Sequence, residues 1–153
     1  MQHKILIVFA CLLAFMACSK KSETLLTDGY DEAEMDAAIE KARSECDQFI
    51  EILVSMDADS FSVKAPISDG TSTEHFWLTD IRYRDGSFTG KIGNDPGIVK
   101  HVAFGQVWTI PKEEISDWMY TRGDRIHGGY TIDPLLATMA PEQADELRNR
   151  LVR

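Results

Sequence analysis

The chain has little that would let it cross a membrane. Its one unbroken apolar run, Ile5 to Met16, falls well short of the roughly 20 residues a spanning helix needs. It has no block of Lys or Arg, and its formal net charge is −9. That balance argues against nucleic acid, and against lying flat on anionic lipid; acidity that simply keeps the chain soluble is the plainer reading. Catalytic signatures are missing too: there is no Gly-x-Ser-x-Gly, no His-x-x-x-His, no phosphate-binding loop and no dinucleotide fingerprint. No internal repeat, low-complexity tract or second domain is apparent.

Cysteine is scarce, with three in 153 residues, and position decides what each can do. The Ile5–Met16 run follows a short n-region charged at Lys4, which together read as a cleaved secretion signal over residues 1–17. Phe15-Met16-Ala17-Cys18 resembles a lipobox, although Phe15 stands where Leu is usual. Val8-Phe9-Ala10-Cys11 is a weaker rival, because cutting there leaves too short an apolar run. Cys18 is therefore the expected lipidation site, with residues 18–30 as a lipidated tether. The membrane would be a partner through that lipid, and multiple acyl chains hold far better than one. The expected location is the cell envelope: the outer membrane, facing the periplasm, if the host is Gram-negative. An ordinary cleaved signal with Cys18 as a bystander is the alternative. Cys11 leaves with the signal, so Cys46 has no partner and reads as a buried small hydrophobe.

The remainder, 31–153, reads as one α+β domain. Asp31 and Glu34 form an Asp-x-x-Glu capping pattern. Met35, Ala38, Ile39, Ala42, Cys46, Phe49, Ile50 and Leu53 then recur at helical spacing, predicting one amphipathic helix to about Val54. From Phe61 the period becomes two: Phe61, Val63, Ala65 and Ile67 alternate with polar residues, and Pro66 suggests an edge or a strand end. A second strand spans Glu74 to Arg84, with Phe76 and Leu78 on one side and Trp77, Ile81 and Tyr83 on the other. Its phase break near Thr79-Asp80 hints at a bulge. Asp85-Gly86 is a hairpin signal leading into a strand over Ser87–Ile92. Val107 to Ile110 predicts a strand, Lys112 to Met119 a brief helix after Pro111, and Pro134–Met139 and Pro141–Val152 C-terminal helices. The expected architecture is an N-terminal amphipathic helix packed on a curved antiparallel sheet of four or five strands, with short C-terminal helices.

Several blocks carry a resemblance: Phe61-Ser62-Val63-Lys64, Glu74-His75-Phe76-Trp77-Leu78, Phe88 through Pro96, Gly105-Gln106-Val107, Ile115-Ser116-Asp117-Trp118 and Gly128-Gly129-Tyr130-Thr131. In this order they resemble the DUF2314 family, a bacterial domain of uncharacterised function, most strongly over 60–135. The resemblance implies a compact α+β fold with a curved antiparallel sheet. It implies no activity and no cofactor.

Glu74-His75-x-Trp77 is the most chemically loaded stretch. On a strand, Glu74 shares a face with Phe76 while His75 shares one with Trp77. His75 is a weak candidate acid/base, with Glu74 or Asp117 as its carboxylate; a half-buried structural histidine is the plainer reading. A metal site could draw on His75, His101, His127 and Asp117, but only through long-range convergence, so none is expected. Trp77, Asn94, Trp118, Tyr130 and Thr131 are the candidate binding residues. Trp77 and Trp108 are expected in the core, whereas Trp118 and Tyr130, near turns, are the better surface candidates. A non-enzymatic binding or accessory module for an envelope protein or cell-wall component fits these features best. The alternatives are a small His-dependent hydrolase and a toxin-inhibiting, immunity-type protein.

Overall fold

A computed structural model describes residues 29–153. The expected signal peptide, Cys18 and most of the expected tether lie outside the described residues. No described helix is long and apolar enough to cross a membrane.

The N-terminal amphipathic segment is two helices, not one: α1 (Glu32–Ser44) and α2 (Cys46–Ser55). Asp31 caps α1 as its sequence suggests, accepting from the Glu34 N–H at 3.0 Å. The break falls at Glu45, whose backbone leaves the helical region at φ −102°, ψ 5°. Just before it, the Ser44 hydroxyl donates to the Lys41 carbonyl, a local bond that competes with helix propagation.

Among the described residues seven strands form one sheet, more than the four or five expected. They are β1 (Ser60–Ser68), β2 (Thr73–Arg84), β3 (Ser87–Ile92), β4 (Val107–Pro111), β5 (Asp117–Arg122), β6 (Arg125–Gly128) and β7 (Leu151–Val152). They lie in the order β4-β3-β2-β1-β5-β6-β7, antiparallel except for the β6–β7 pair. Tyr130–Ile132 is a 3₁₀ turn; α3 (Asp133–Leu136) and α4 (Pro141–Arg150) follow it.

Two of the extra strands, β5 and β7, come from segments whose pattern reads as wholly or partly helical. Lys112–Glu114 form a turn, and Asp117–Arg122, half of it expected to be helical, pairs with the free side of β1. That pairing turns Trp118 and Tyr120 inward, a period of two that six residues barely display. Leu151 and Val152, expected at the end of a helix, instead leave α4 and join β6.

Pro66 lies near the end of a strand that is central in the sheet, and it costs no ladder bond. The β5 ladder reaches β1 only from Ser60 to Lys64. The Lys64 carbonyl accepts from the Ser116 N–H at 2.8 Å, and two residues on, Pro66 presents its missing N–H to that same side, where the ladder has ended.

The bulge in β2 is real. Register slips by one residue between Thr79 and Arg82, and Asp80 takes φ +51°. The slip moves Ile81 and Tyr83 onto the Phe76–Leu78 face, correcting the alternation read from the sequence. It also requires Gly90 opposite, where a Cβ would lie 2.7 Å from both the Thr79 carbonyl oxygen and Ile81 Cγ2. Asp85 (φ 50°) and Gly86 (φ 80°) make the tight turn their dipeptide predicts.

The sheet separates two cores. Helices α1 and α2 cover one face, where Ala42, Cys46, Phe49 and Leu53 meet Val63, Phe76, Leu78, Phe88 and Trp118. On the other face a smaller cluster, Ile126, Leu136, Ala144 and Leu151, seats α3 and α4 over the β5–β7 end. Elsewhere no described element covers this second face: His75, Thr79, Lys91 and Thr109 are exposed on it.

Candidate functional site

The polar residues of the family-like blocks converge at the boundary between the covered and open parts of the second face. Register does this: Lys64 pairs with Trp77 on one side and Asp117 on the other, so all three side chains share a face.

Asp117 is fully buried and holds the 3₁₀ turn. Its Oδ1 accepts from the N–H groups of Trp118 (2.8 Å) and Tyr130 (3.2 Å). Its Oδ2 accepts from the Thr131 N–H (2.8 Å) and hydroxyl (2.7 Å). The Thr131 hydroxyl in turn accepts from Lys64 Nζ at 2.8 Å, so lysine and aspartate are joined through threonine. Burial, first, pushes the Lys64 pKa down, opposed by the Asp117 charge. Burial likewise raises that of Asp117, against the bonds from Thr131 and Trp118 and the Lys64 charge. Lys64 Nζ also lies 5.2 Å from the Trp77 ring centroid.

Beside this relay, His75 Nδ1 and the Ser116 hydroxyl lie 2.8 Å apart, and that hydroxyl also donates to the Lys64 carbonyl at 3.2 Å. The protein packed around His75, and then the Lys64 charge, lower its pKa to about 4. His75 is nonetheless an exposed residue, and solvent around it works against the shift.

The expected site residues fall on both sides of the sheet. Glu74 faces the helix-covered core, 3% exposed, and its carboxylate accepts from three successive N–H groups, those of Gly97, Ile98 and Val99. It pins the loop after β3 and does not meet His75. Asn94 is buried in the same loop, with Oδ1 accepting from the Trp77 N–H at 3.0 Å. Trp118 is core, not surface: 5% exposed, it stacks on Phe49 at 5.0 Å and its indole N–H donates to the Ala42 carbonyl at 2.7 Å. Thr131 is buried, and Tyr130 is half-buried with its hydroxyl donating to Glu45. That bond, chiefly, lowers the Glu45 pKa, while burial raises that of Tyr130. Trp77, expected in the core, instead stands half-exposed on the open face.

The described histidines do not gather. His101 packs near Trp108 and His127 stacks on Tyr120, and among the described residues no group of three His, Cys, Asp or Glu side chains could hold a metal. Ser116 is 1% exposed, which leaves its hydroxyl out of reach of a substrate. Sequence reading missed both Lys64 and Ser116. Period two placed Lys64 on an outward face, where lysine is ordinary, and its burial comes from a turn 67 residues away.

A family model described as an uncharacterized protein conserved in bacteria, DUF2314, matches residues 32–151, from the first turn of α1 to the start of β7. The chain belongs to the DUF2314 family. Over 151 residues it is 59% identical to the uncharacterized protein YegJ of Escherichia coli (strain K12), covering 98% of this chain and 99% of that one. It is also 36% identical over 93 residues to a putative ankyrin repeat protein of Neisseria meningitidis serogroup B, covering 58% of this chain and 36% of that protein. No solved structure matches. Within this DUF2314 chain the relay ties together three of the family-like blocks: Lys64 from the first, Ser116 and Asp117 from another, Thr131 from the last.

Proposed function

We propose that this DUF2314 chain is a non-enzymatic binding module, held at the envelope by a lipid on Cys18, that meets its partner through the open sheet face around His75 and Trp77. One observation carries the reading. The groups that catalysis would need are spent inside the fold, with Glu74 on three backbone N–H groups, Asp117 on four donors and Ser116 buried. Trp77 and His75 remain at the surface, an aromatic beside a polar ring of the kind that anchors interfaces. The partner is a protein or a cell-wall component. A stretch like this one also forms part of a longer chain named for ankyrin repeats, and such repeats stack into extended binding surfaces.

Site-specific photocrosslinking in intact envelopes tests this. A crosslinker at position 79, on the open face, should yield a repeatable adduct that a crosslinker at the exposed Glu51 of α2 does not. Identical products from both positions, or none from position 79, would sink the proposal.

A further inference from the structure

The open face carries two polar groups whose bonding capacity is not used up. Lys64 is 9% exposed, and an ammonium has three donors. Among the described residues one of them goes to Thr131 Oγ1; no carboxylate lies within ion-pair distance of the others, and Trp77 offers its ring instead. A buried ammonium left with spare N–H bonds is costly unless something takes them.

His75 is similarly half-committed. The Ser116 hydroxyl has a single hydrogen and spends it on the Lys64 carbonyl, which can only accept. Both contacts are satisfied together when that oxygen accepts from His75, the arrangement with the imidazole proton on Nδ1. Nε2 is then a bare lone pair on an exposed residue, with no partner among the described residues. Its neighbours restrict what can bind. Asp117, joined to Lys64 through Thr131, offsets much of the ammonium's charge, which suits a monoanion better than a phosphate dianion.

We propose that Lys64, Trp77 and His75 form a binding site for a free peptide C-terminus. The terminal carboxylate takes the spare N–H bonds of Lys64. The last amide N–H of the peptide donates to His75 Nε2, and the terminal side chain lies against the Trp77 ring. The carboxylate supplies the acceptor an ammonium lacks here, and the adjacent amide supplies the one donor that a neutral Nδ1–H histidine can use. Such termini come both from proteins, ending in L-residues, and from cell-wall peptides, ending in D-residues. The site rests on the binding-module reading, and names the chemistry its face would recognise.

The test is an NMR titration of the full chain in detergent with four probes: acetyl-Gly-Gly-Ala ending in L-Ala or D-Ala, each as free acid and as amide. At least one free acid should shift the side-chain signals of Lys64, His75 and Trp77. Its amide should bind about ten- to a hundredfold more weakly, as loss of a charged hydrogen-bond partner implies. A preference for L-Ala assigns a protein terminus, and one for D-Ala a cell-wall peptide. Equal binding of acid and amide, or no binding of either acid at about 10 mM, overturns the site. Lys64→Met should abolish the acid–amide difference; if that variant does not fold, Trp77→Ala should weaken whichever acid binds. The His75 ring nitrogens give an independent readout at pH 7: protonated Nδ1 and bare Nε2 are expected, and an Nε2–H tautomer refutes the arrangement. Crosslinks at position 79 persisting while the acids fail would leave the module reading standing and remove this ligand alone.

Discussion

Glu74 offers the cleanest separation of a structural carboxylate from a catalytic one. Its carboxylate accepts from Gly97 (2.9 Å and 3.2 Å to the two oxygens), Ile98 (2.9 Å) and Val99 (3.1 Å). In Glu74→Ala these donors lose their acceptor, but not at equal cost. Gly97 and Ile98 are exposed, so water replaces the carboxylate and each loss stays below about 1 kcal/mol. Val99 is fully buried, and its N–H left unsatisfied costs about 1–3 kcal/mol. The expected destabilisation is therefore about 2–4 kcal/mol. Glu74→Gln keeps an acceptor oxygen but loses charge assistance, and should cost roughly half as much. Urea unfolding gives the totals, and amide hydrogen exchange gives the place: protection should fall first at residues 97–99, while Phe76 and Leu78 stay protected. A Glu74→Ala protein within about 0.5 kcal/mol of the parent, or one with unchanged protection at Val99, would refute the reasoning.

Gly128→Ala should be severely destabilising, by more than about 2 kcal/mol in the same unfolding assay: φ is +74°, and a Cβ would sit 2.4 Å from the Trp118 carbonyl oxygen and 2.5 Å from its ring. The Cys46 thiol, pushed up to about 11 chiefly by burial, should resist iodoacetamide in the folded protein at pH 8 and react on unfolding; rapid native labelling would contradict its place in the core. His75 should titrate well below an ordinary histidine, toward pH 4 by NMR. The unfolded chain then binds the extra proton first, so stability present above about pH 6.5 falls as pH drops toward 4, and His75→Gln should flatten that slope. Cys18→Ser should abolish acyl labelling and release the protein from membranes; retention on membranes with no labelled wild type would overturn the lipid anchor.

Local chemistry was legible wherever it acts over a few residues. Asp31 capped the helix its sequence announced, Asp85-Gly86 turned the hairpin, and the phase break at Thr79-Asp80 became a bulge. What failed was side assignment after that bulge. Ile81 and Tyr83 changed faces because one extra residue inverts everything downstream of it. Trp77 and Trp118 exchanged expected places for a related reason. A tryptophan at a turn looks available, and one in a strand looks buried, until the sheet shows which face is covered.

By itself the sequence determined the α+β class, the family, the caps and turns, and the opposite facing of Glu74 and His75. These depend on spacing and on backbone preferences that each residue carries with it. Only the tertiary structure decided that seven strands of the described residues form one sheet, that Glu74 serves a loop, and that Lys64 is buried over Thr131 and Asp117. Burial and partnership are properties of pairs brought together from 14 to 67 residues apart, and no local pattern encodes which distant turn will close over a given strand.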